Sequence, residues 1–234
     1  MLAGRKVQQT AHSDLFEAWG RVDVGARAAA RPDPGSVDAT TFWRWKRVFD
    51  LALAVALLPV LALMILLVVP VNRVRNPGPL FFRQRRMGRD CSAFALWKFR
   101  TMRPSGNSAR GPEDPLEQDR ITPFGRWLRL SRLDELPQIV NVLCGEMSFV
   151  GPRPDILEHA LVFLEAVPGY QQRYRQRPGI TGLAQVQLGY VEGAERTARK
   201  VALDLAYLRR ASWRLERAIL ARTIVVMLSG FGAK

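Results

Sequence analysis

The chain has 234 residues, 48% hydrophobic and 24% charged, with 35 Lys and Arg against 21 Asp and Glu and a formal net charge of +14. That hydrophobic share suits one domain, or one domain with an appendage, and excludes wholesale disorder; two cysteines, Cys91 and Cys144, exclude a disulfide scaffold and a four-Cys zinc site. The charge points to an anionic partner, and nucleic acid, acidic lipid and phosphorylated small molecules all qualify.

The basic set is 30 Arg and 5 Lys, which suits bidentate phosphate binding and equally a GC-rich coding bias. Residues 1–40 read as a flexible N-terminal tail with the breaker cluster Arg31-Pro32-Asp33-Pro34-Gly35 and, around Leu15, Phe16 and Trp19, one short amphipathic turn. No apolar stretch follows the first residues, so no signal peptide is expected.

Leu51–Val71 is a run of 21 residues without a charge. As a helix it is about 31 Å long, enough for a bilayer core, and few soluble helices are apolar on every side for so long. Pro59 removes a backbone donor within it and predicts a kink. Arg44, Lys46 and Arg47 precede the run; Arg73, Arg75, Arg83, Arg85 and Arg86 follow it. The positive-inside rule then asks for the cytoplasmic side at both ends. A re-entrant helix–break–helix satisfies both and a straight span does not, although the residues alone leave both forms open. Phe42, Trp43 and Trp45 suit an interfacial anchor.

Between Asn72 and Leu133 there are fourteen Lys or Arg against five Asp or Glu. Leu80-Phe81-Phe82 and Ala93–Trp97, around Met87–Asp90, predict a small hairpin. Residues 103–119 are a long polar loop, of the kind that is either disordered or functional. Residues 131–143 predict a helix capped by Ser131, with Asp134 and Glu135 in its first turn and Leu136, Ile139, Val140 and Leu143 on one face. Ser148–Pro154 reads as a rigid turn, 155–174 as helix broken at Pro168-Gly169, and 177–190 as a Gly-punctuated loop. Residues 195–210 and 213–229 predict two amphipathic helices suited to a membrane surface.

Asp134 and Glu135 are the pair most able to carry chemistry. Neighbours on a helix diverge by about 100°, so they take separate tasks, one towards a substrate and one towards a metal, and a helix N-terminus also attracts phosphate. The plainer account is that acidic residues in a first turn favour the helix dipole. Mg²⁺ needs only one or two carboxylates plus substrate phosphate. His12 and His159 are isolated. No P-loop, GxGxxG or HExxH is present.

Seven blocks in order make the sequence resemble the bacterial sugar transferases, the monotopic phosphoglycosyl transferases, over about residues 44–230. They are Lys46-Arg47-Val48-Phe49-Asp50, Gly78–Gly88, Lys98-Phe99-Arg100-Thr101-Met102, Asp119-Arg120-Ile121-Thr122, Leu133–Gln138, Gly145–Pro154 and Arg177–Val186. The resemblance implies transfer of a sugar 1-phosphate from a UDP-sugar to a polyprenyl (undecaprenyl) phosphate with release of UMP, as the first step of exopolysaccharide or glycoconjugate synthesis. By position Asp134 is the nucleophile that forms a covalent phosphosugar intermediate, and Glu135 holds Mg²⁺. Lys98, Arg129 and Arg153 neutralise phosphate charge; Arg100 and Arg177 match further phosphate positions, and Asp204 matches a family position of less defined role. The family also uses the re-entrant hairpin, here broken at Pro59, with both ends cytoplasmic.

The expected architecture is therefore α+β and mostly helical. A tail (1–40) leads to a re-entrant membrane hairpin (41–75) and a small cytosolic catalytic domain (76–230) with amphipathic interfacial helices. The expected place is the cytoplasmic face of the bacterial inner membrane, against anionic lipid of the inner leaflet. Packing of the hairpin or the C-terminal helices would support a homodimer. Nucleic acid is not an expected partner, since such a binder would carry base-stacking aromatics among its Arg residues and no membrane segment. The rival reading is a non-catalytic membrane-anchored lipid-binding scaffold.

Several positions depart from the family. Leu58 stands where Ser often precedes the break proline. Val186-Gln187-Leu188-Gly189-Tyr190 replaces a block that usually ends in Arg. Arg132 stands where many members have Ser, either adding charge to the site or facing solvent. Many relatives carry a large N-terminal membrane domain where this chain has a short tail.

Overall fold

The structure is a computed structural model that describes residues 37–103, 117–188 and 194–229. Residues 1–36 of the expected tail (1–40), most of the polar loop, and Gly189-Tyr190 lie outside the described residues, while residues 37–40 are helical.

The fold is α+β and mostly helical. Helix α1, Val37–Arg75, has 39 residues. Only 17% of its most apolar window is buried, so it is not the core helix of a soluble domain. Its inward stripe is narrow: Ala54, Leu61 and Val68, seven residues apart, sit in the core with Leu57, Met64 and Ile65 packed beside them. Leu63, Leu66 and Leu67 stand bare, at 55–70% exposure.

The expected helix–break–helix is not found as two elements, because α1 runs across both Pro59 and Pro70. A proline deletes one N–H and crowds the carbonyl four residues back, which bends a helix without obliging it to end. Both ends of the apolar stretch are tied to the polar part of the molecule. Near its start, Lys46 Nζ donates to Glu216 Oε2 at 2.8 Å. Asp50 Oδ1 accepts from the Phe149 N–H at 3.2 Å, and Arg47 donates to the carbonyls of Val142 and Leu143. Near its end, Asn72 donates to the Gly78 carbonyl at 3.1 Å and Asn76 to that of Arg100 at 3.0 Å.

Strands β1 (Phe81–Met87) and β2 (Ala93–Phe99) form the expected antiparallel hairpin, with Phe81 opposite Phe99 and Met87 opposite Ala93. Helix α2, Pro123–Leu130, was not expected. Thr122 Oγ1 caps it by accepting from the Gly125 N–H at 3.0 Å, and Pro123 occupies the first helical position. Gly125 lets α2 lie against the backbone, since a Cβ there would stand 2.0 Å from the Thr101 carbonyl oxygen.

The expected helix over 131–143 is corrected. Ser131 ends α2, donating from its hydroxyl to the Trp127 carbonyl at 2.9 Å. Arg132 is left-handed, Leu133–Glu135 is a 3₁₀ turn, and only α3, Gln138–Leu143, is α-helical. Pro137 has no N–H to offer the Leu133 carbonyl, which accepts from Leu136 instead.

Strand β3 (Ser148–Val150) pairs in parallel with β4 (Gly179–Thr181), Ser148 opposite Gly179 and Val150 opposite Thr181. The region 177–190, expected as loop, thus holds β4 and helix α5, Leu183–Leu188. Gly179 is required by contact: a Cβ on it would fall 2.1 Å from the Gly151 nitrogen. Helix α4 (Leu157–Ala166) and the 3₁₀ segment Tyr170–Arg175 are separated at Pro168-Gly169 as expected. Helices α6 (Ala194–Arg210) and α7 (Trp213–Ser229) match the two final helices. Both cysteines are free thiols.

Candidate active site

The left-handed Arg132 (φ 58°) turns the chain sharply between α2 and the 3₁₀ turn. A non-glycine residue there costs about 1–2 kcal/mol, so the geometry is held by its surroundings. The turn presents Asp134 and Glu135, both more than nine-tenths buried.

The two carboxylates are treated differently. Lys98 Nζ donates to Glu135 Oε1 at 2.8 Å. Arg153 grips Glu135 with both terminal nitrogens, Nη1 to Oε2 at 3.2 Å and Nη2 to Oε1. From Asp134 Oδ2, Lys98 stands 3.9 Å away, the long limit of an ion pair. Burial pushes the Glu135 carboxyl up, but the charges and hydrogen bonds of Arg153 and Lys98 together outweigh it and hold Glu135 well below the usual carboxylate range. For Asp134 the balance reverses. Burial, with the neighbouring Glu135 charge, raises it above its ordinary value against the pull of Lys98, Arg129 and Arg153. Asp134 is therefore the more basic carboxylate of the pair.

The other expected residues divide. Arg129 lies with the pair, its charge felt at Asp134 while its Nε donates to Thr101 Oγ1 at 2.9 Å. Arg100 is bonded elsewhere, at the end of α1, where its guanidinium donates to the Asn76 carbonyl and packs on Gly78. Arg177 donates to the Gly145 carbonyl at 2.7 Å and lines a small polar hollow with Trp43, Arg47 and Asp50. Asp204 is buried against Arg173, Nε to Oδ2 at 2.9 Å.

Sequence reasoning missed what holds Arg153 and Lys98 in place. Arg173, fully buried, donates to the Arg153 carbonyl at 2.7 Å, and Asp155 ties Arg173, Lys200 and Tyr170 together. On the other side, Asn141 of α3 accepts from the Trp97 N–H at 3.0 Å and donates to the Ala95 carbonyl at 2.7 Å. It thereby completes the free edge of β2 next to Lys98. The signal for Asp155 was its place directly after Gly-Pro-Arg-Pro; Asn141 gave none. Asn141→Ala leaves two backbone groups without partners and is expected to cost roughly 2–4 kcal/mol, read as a lowered midpoint in denaturant unfolding.

A cavity of about 200 Å³ opens beside the turn. Arg132, Glu135 and Arg153 line one end, and Leu57, Phe149 and Met227 are among its apolar walls.

Oxygen donors of this kind suit Mg²⁺. A carboxylate has about four acceptor positions, and Lys98 and Arg153 take three of those on Glu135. Among these contacts one acceptor position is left, on Oε2. Among the described residues no group of three or more His, Cys, Asp or Glu could hold a metal by itself, so substrate phosphates would have to supply the other ligands.

A family model described as bacterial sugar transferase matches residues 41–230. The UDP-N-acetylgalactosamine-undecaprenyl-phosphate N-acetylgalactosaminephosphotransferase of Aeromonas hydrophila is 37% identical over 190 residues, covering 81% of this chain and 45% of that protein. A UDP-glucose:undecaprenyl-phosphate glucose-1-phosphate transferase of Caulobacter vibrioides is 38% identical, covering 79% of this chain and 70% of the relative. An exopolysaccharide production protein of Rhizobium leguminosarum is 37% identical, with 79% and 95% covered. The chain thus spans under half of the first of these relatives and nearly all of the last.

Proposed function

We propose that this chain, which belongs to the bacterial sugar transferase family, transfers a sugar 1-phosphate from a UDP-sugar to a polyprenyl phosphate and releases UMP through a covalent intermediate on Asp134. The observation that carries this is the unequal treatment of the two carboxylates. Glu135 is clamped by Lys98 and Arg153, whereas Lys98 stands 3.9 Å from Asp134, whose basicity burial raises.

In the first step an Asp134 oxygen attacks the phosphorus that bears the sugar. The bond from that phosphorus to the UMP oxygen breaks, and UMP takes the electron pair. Lys98, Arg129 and Arg153, whose charges act on Asp134, would neutralise the phosphate charge that develops there. In the second step a phosphate oxygen of the polyprenyl acceptor attacks the same phosphorus and the electron pair returns to the Asp134 carboxylate. Splitting one displacement into two easier ones is the usual gain of a covalent route. Mg²⁺, held by Glu135 and substrate phosphates, would neutralise charge on the diphosphate.

The membrane placement belongs to the same reading. The apolar stretch of α1 is long enough for a bilayer core, yet both its ends are bonded to polar parts of one chain. A re-entrant path, bent near Pro59, keeps both ends on one face. Their basic flanks make that face the cytoplasmic side of the inner membrane, with the first step of exopolysaccharide or glycoconjugate assembly as the setting.

The test is incubation of the detergent-solubilised chain with a panel of UDP-sugars, polyprenyl phosphate and Mg²⁺. UMP and a lipid-linked sugar are expected from at least one donor, and EDTA is expected to slow the reaction by about 100-fold or more. Silence across the panel would favour the non-catalytic scaffold.

A further inference from the structure

Arg153 grips Glu135 with both terminal nitrogens, so its aim sets how that carboxylate is held. It stands three positions after Val150, the last residue of β3, and its Nη1 also donates to the Ile180 carbonyl of β4 at 3.2 Å. Its reach is therefore set by where the parallel pair β3–β4 ends. Each strand of that pair has three residues, and two strands alone are marginal in water. Side chains from other elements must fix its ends.

Tyr207 of α6 is placed to do so. Its ring is buried, and its hydroxyl lies 3.2 Å from the Val150 carbonyl and beside Glu216 Oε1 of α7. The one hydroxyl proton is shared between these two acceptors in a three-centre bond. Burial, with the Glu216 charge, pushes the Tyr207 hydroxyl well above its ordinary pKa, so it remains a donor. Glu216 is fixed in turn, because Lys46 Nζ of α1 donates to its Oε2 at 2.8 Å. On the preceding peptide, the Phe149 N–H donates to Asp50. The Ser148 hydroxyl also reaches the Val150 carbonyl, at 3.0 Å, but it belongs to β3 itself and ties the strand to nothing else. A core that needed only packing here would be served by Phe, since a buried hydroxyl has to be given partners.

We propose that Tyr207 is a positioning residue for the transfer. By holding the Val150 carbonyl to α6 and α7 it fixes the end of β3, and with it the angle from which Arg153 meets Glu135 and the donor's phosphate. Tyr207 touches no substrate and acts through Arg153 alone. The proposal rests on the transferase reading above.

Tyr207→Phe keeps the ring, which packs edge-on to Trp43, and removes the hydroxyl. The readout is UMP release from a UDP-sugar and polyprenyl phosphate, taken well below each variant's melting temperature. A misplaced Arg153 is expected to lower kcat about tenfold, with the KM for UDP-sugar moving less. In an Arg153→Lys background the two-pronged grip on Glu135 is already lost. There Tyr207→Phe should lower kcat by less than about twofold, because the two changes act on one group. A purely structural role predicts the same factor in both backgrounds, since independent changes add. Glu216→Gln separates stability from position. It keeps an oxygen for the Tyr207 hydroxyl but takes the opposite charge from Lys46, so the melting temperature should fall while kcat stays within about twofold of the wild type. An unchanged kcat in Tyr207→Phe, an equal loss in both backgrounds, or a loss in Glu216→Gln as large as that in Tyr207→Phe would each overturn the assignment. Silence of the wild-type chain towards every UDP-sugar would instead remove the transferase reading itself.

Discussion

Asp134→Asn should abolish turnover and at the same time make the protein more stable. Loss of a nucleophile that forms the covalent intermediate is expected to lower kcat on the order of 10⁴-fold or more, measured as UMP release with and without acceptor. The stability effect follows from the raised pKa of Asp134, which burial and the adjacent Glu135 charge produce. A carboxyl whose folded pKa lies above its unfolded value of about 3.9 destabilises the fold once pH rises through that window. Asn carries no charge and escapes this. The melting temperature of Asp134→Asn should therefore exceed that of the wild type at neutral pH, and the difference should vanish below about pH 4. Glu135→Gln should move the other way, because Glu135 is held low by Arg153 and Lys98 and its stabilisation is present above its unfolded pKa. Two adjacent carboxylates with opposite signs in stability are what a nucleophile beside a clamped anchor requires. If Asp134→Asn turns over at the wild-type rate, Asp134 does not carry the covalent step.

The sequence made legible those parts that depend on long or periodic patterns. The apolar run, the aromatic hairpin and the two C-terminal helices repeat one physical signal over many residues, and each is found. The Asp134–Glu135 pair was visible, but its geometry was not. A 3₁₀ turn between a left-handed Arg132 and a Pro137 that cannot extend the hydrogen-bond ladder looks, in composition, like the first turn of a longer helix. The parallel pair β3–β4 was hidden for another reason. Three-residue strands have too few positions for alternation, and the glycines that read as loop punctuation are there because two backbones touch at Gly151 and Gly179. Of the five cations expected at phosphate, Lys98, Arg129 and Arg153 gather at the carboxylates, while Arg100 and Arg177 bind carbonyls elsewhere. Charge type is readable from a sequence, but the direction of a guanidinium is set by the fold.

Asp155→Asn should cost roughly 3–5 kcal/mol of stability and slow turnover as well. Asp155 accepts from Tyr170 at 2.7 Å and pairs with Arg173 and Lys200. Burial pushes its carboxyl up, but Lys200 and Arg173 outweigh burial and hold it far below the usual range. Its stabilisation is thus present above the unfolded carboxylate pKa of about 3.9 and is lost only as pH falls through the folded value. An amide in its place leaves the buried Arg173 and the partly buried Lys200 with the Asp204 carboxyl, which burial pushes up despite its contact with Arg173. Asp204→Asn should accordingly be the milder change of the two. At about 2–4 °C per kcal/mol for a chain of this size, Asp155→Asn is expected to lower the melting temperature by roughly 6–20 °C. The loss reaches the reaction centre because Arg173 also holds the Arg153 carbonyl at 2.7 Å, and Arg153 holds Glu135. Measured well below its own melting temperature, the variant should show a lower kcat with a smaller change in the KM for UDP-sugar. A stable variant with full kcat would show that Arg153 keeps its place without this network.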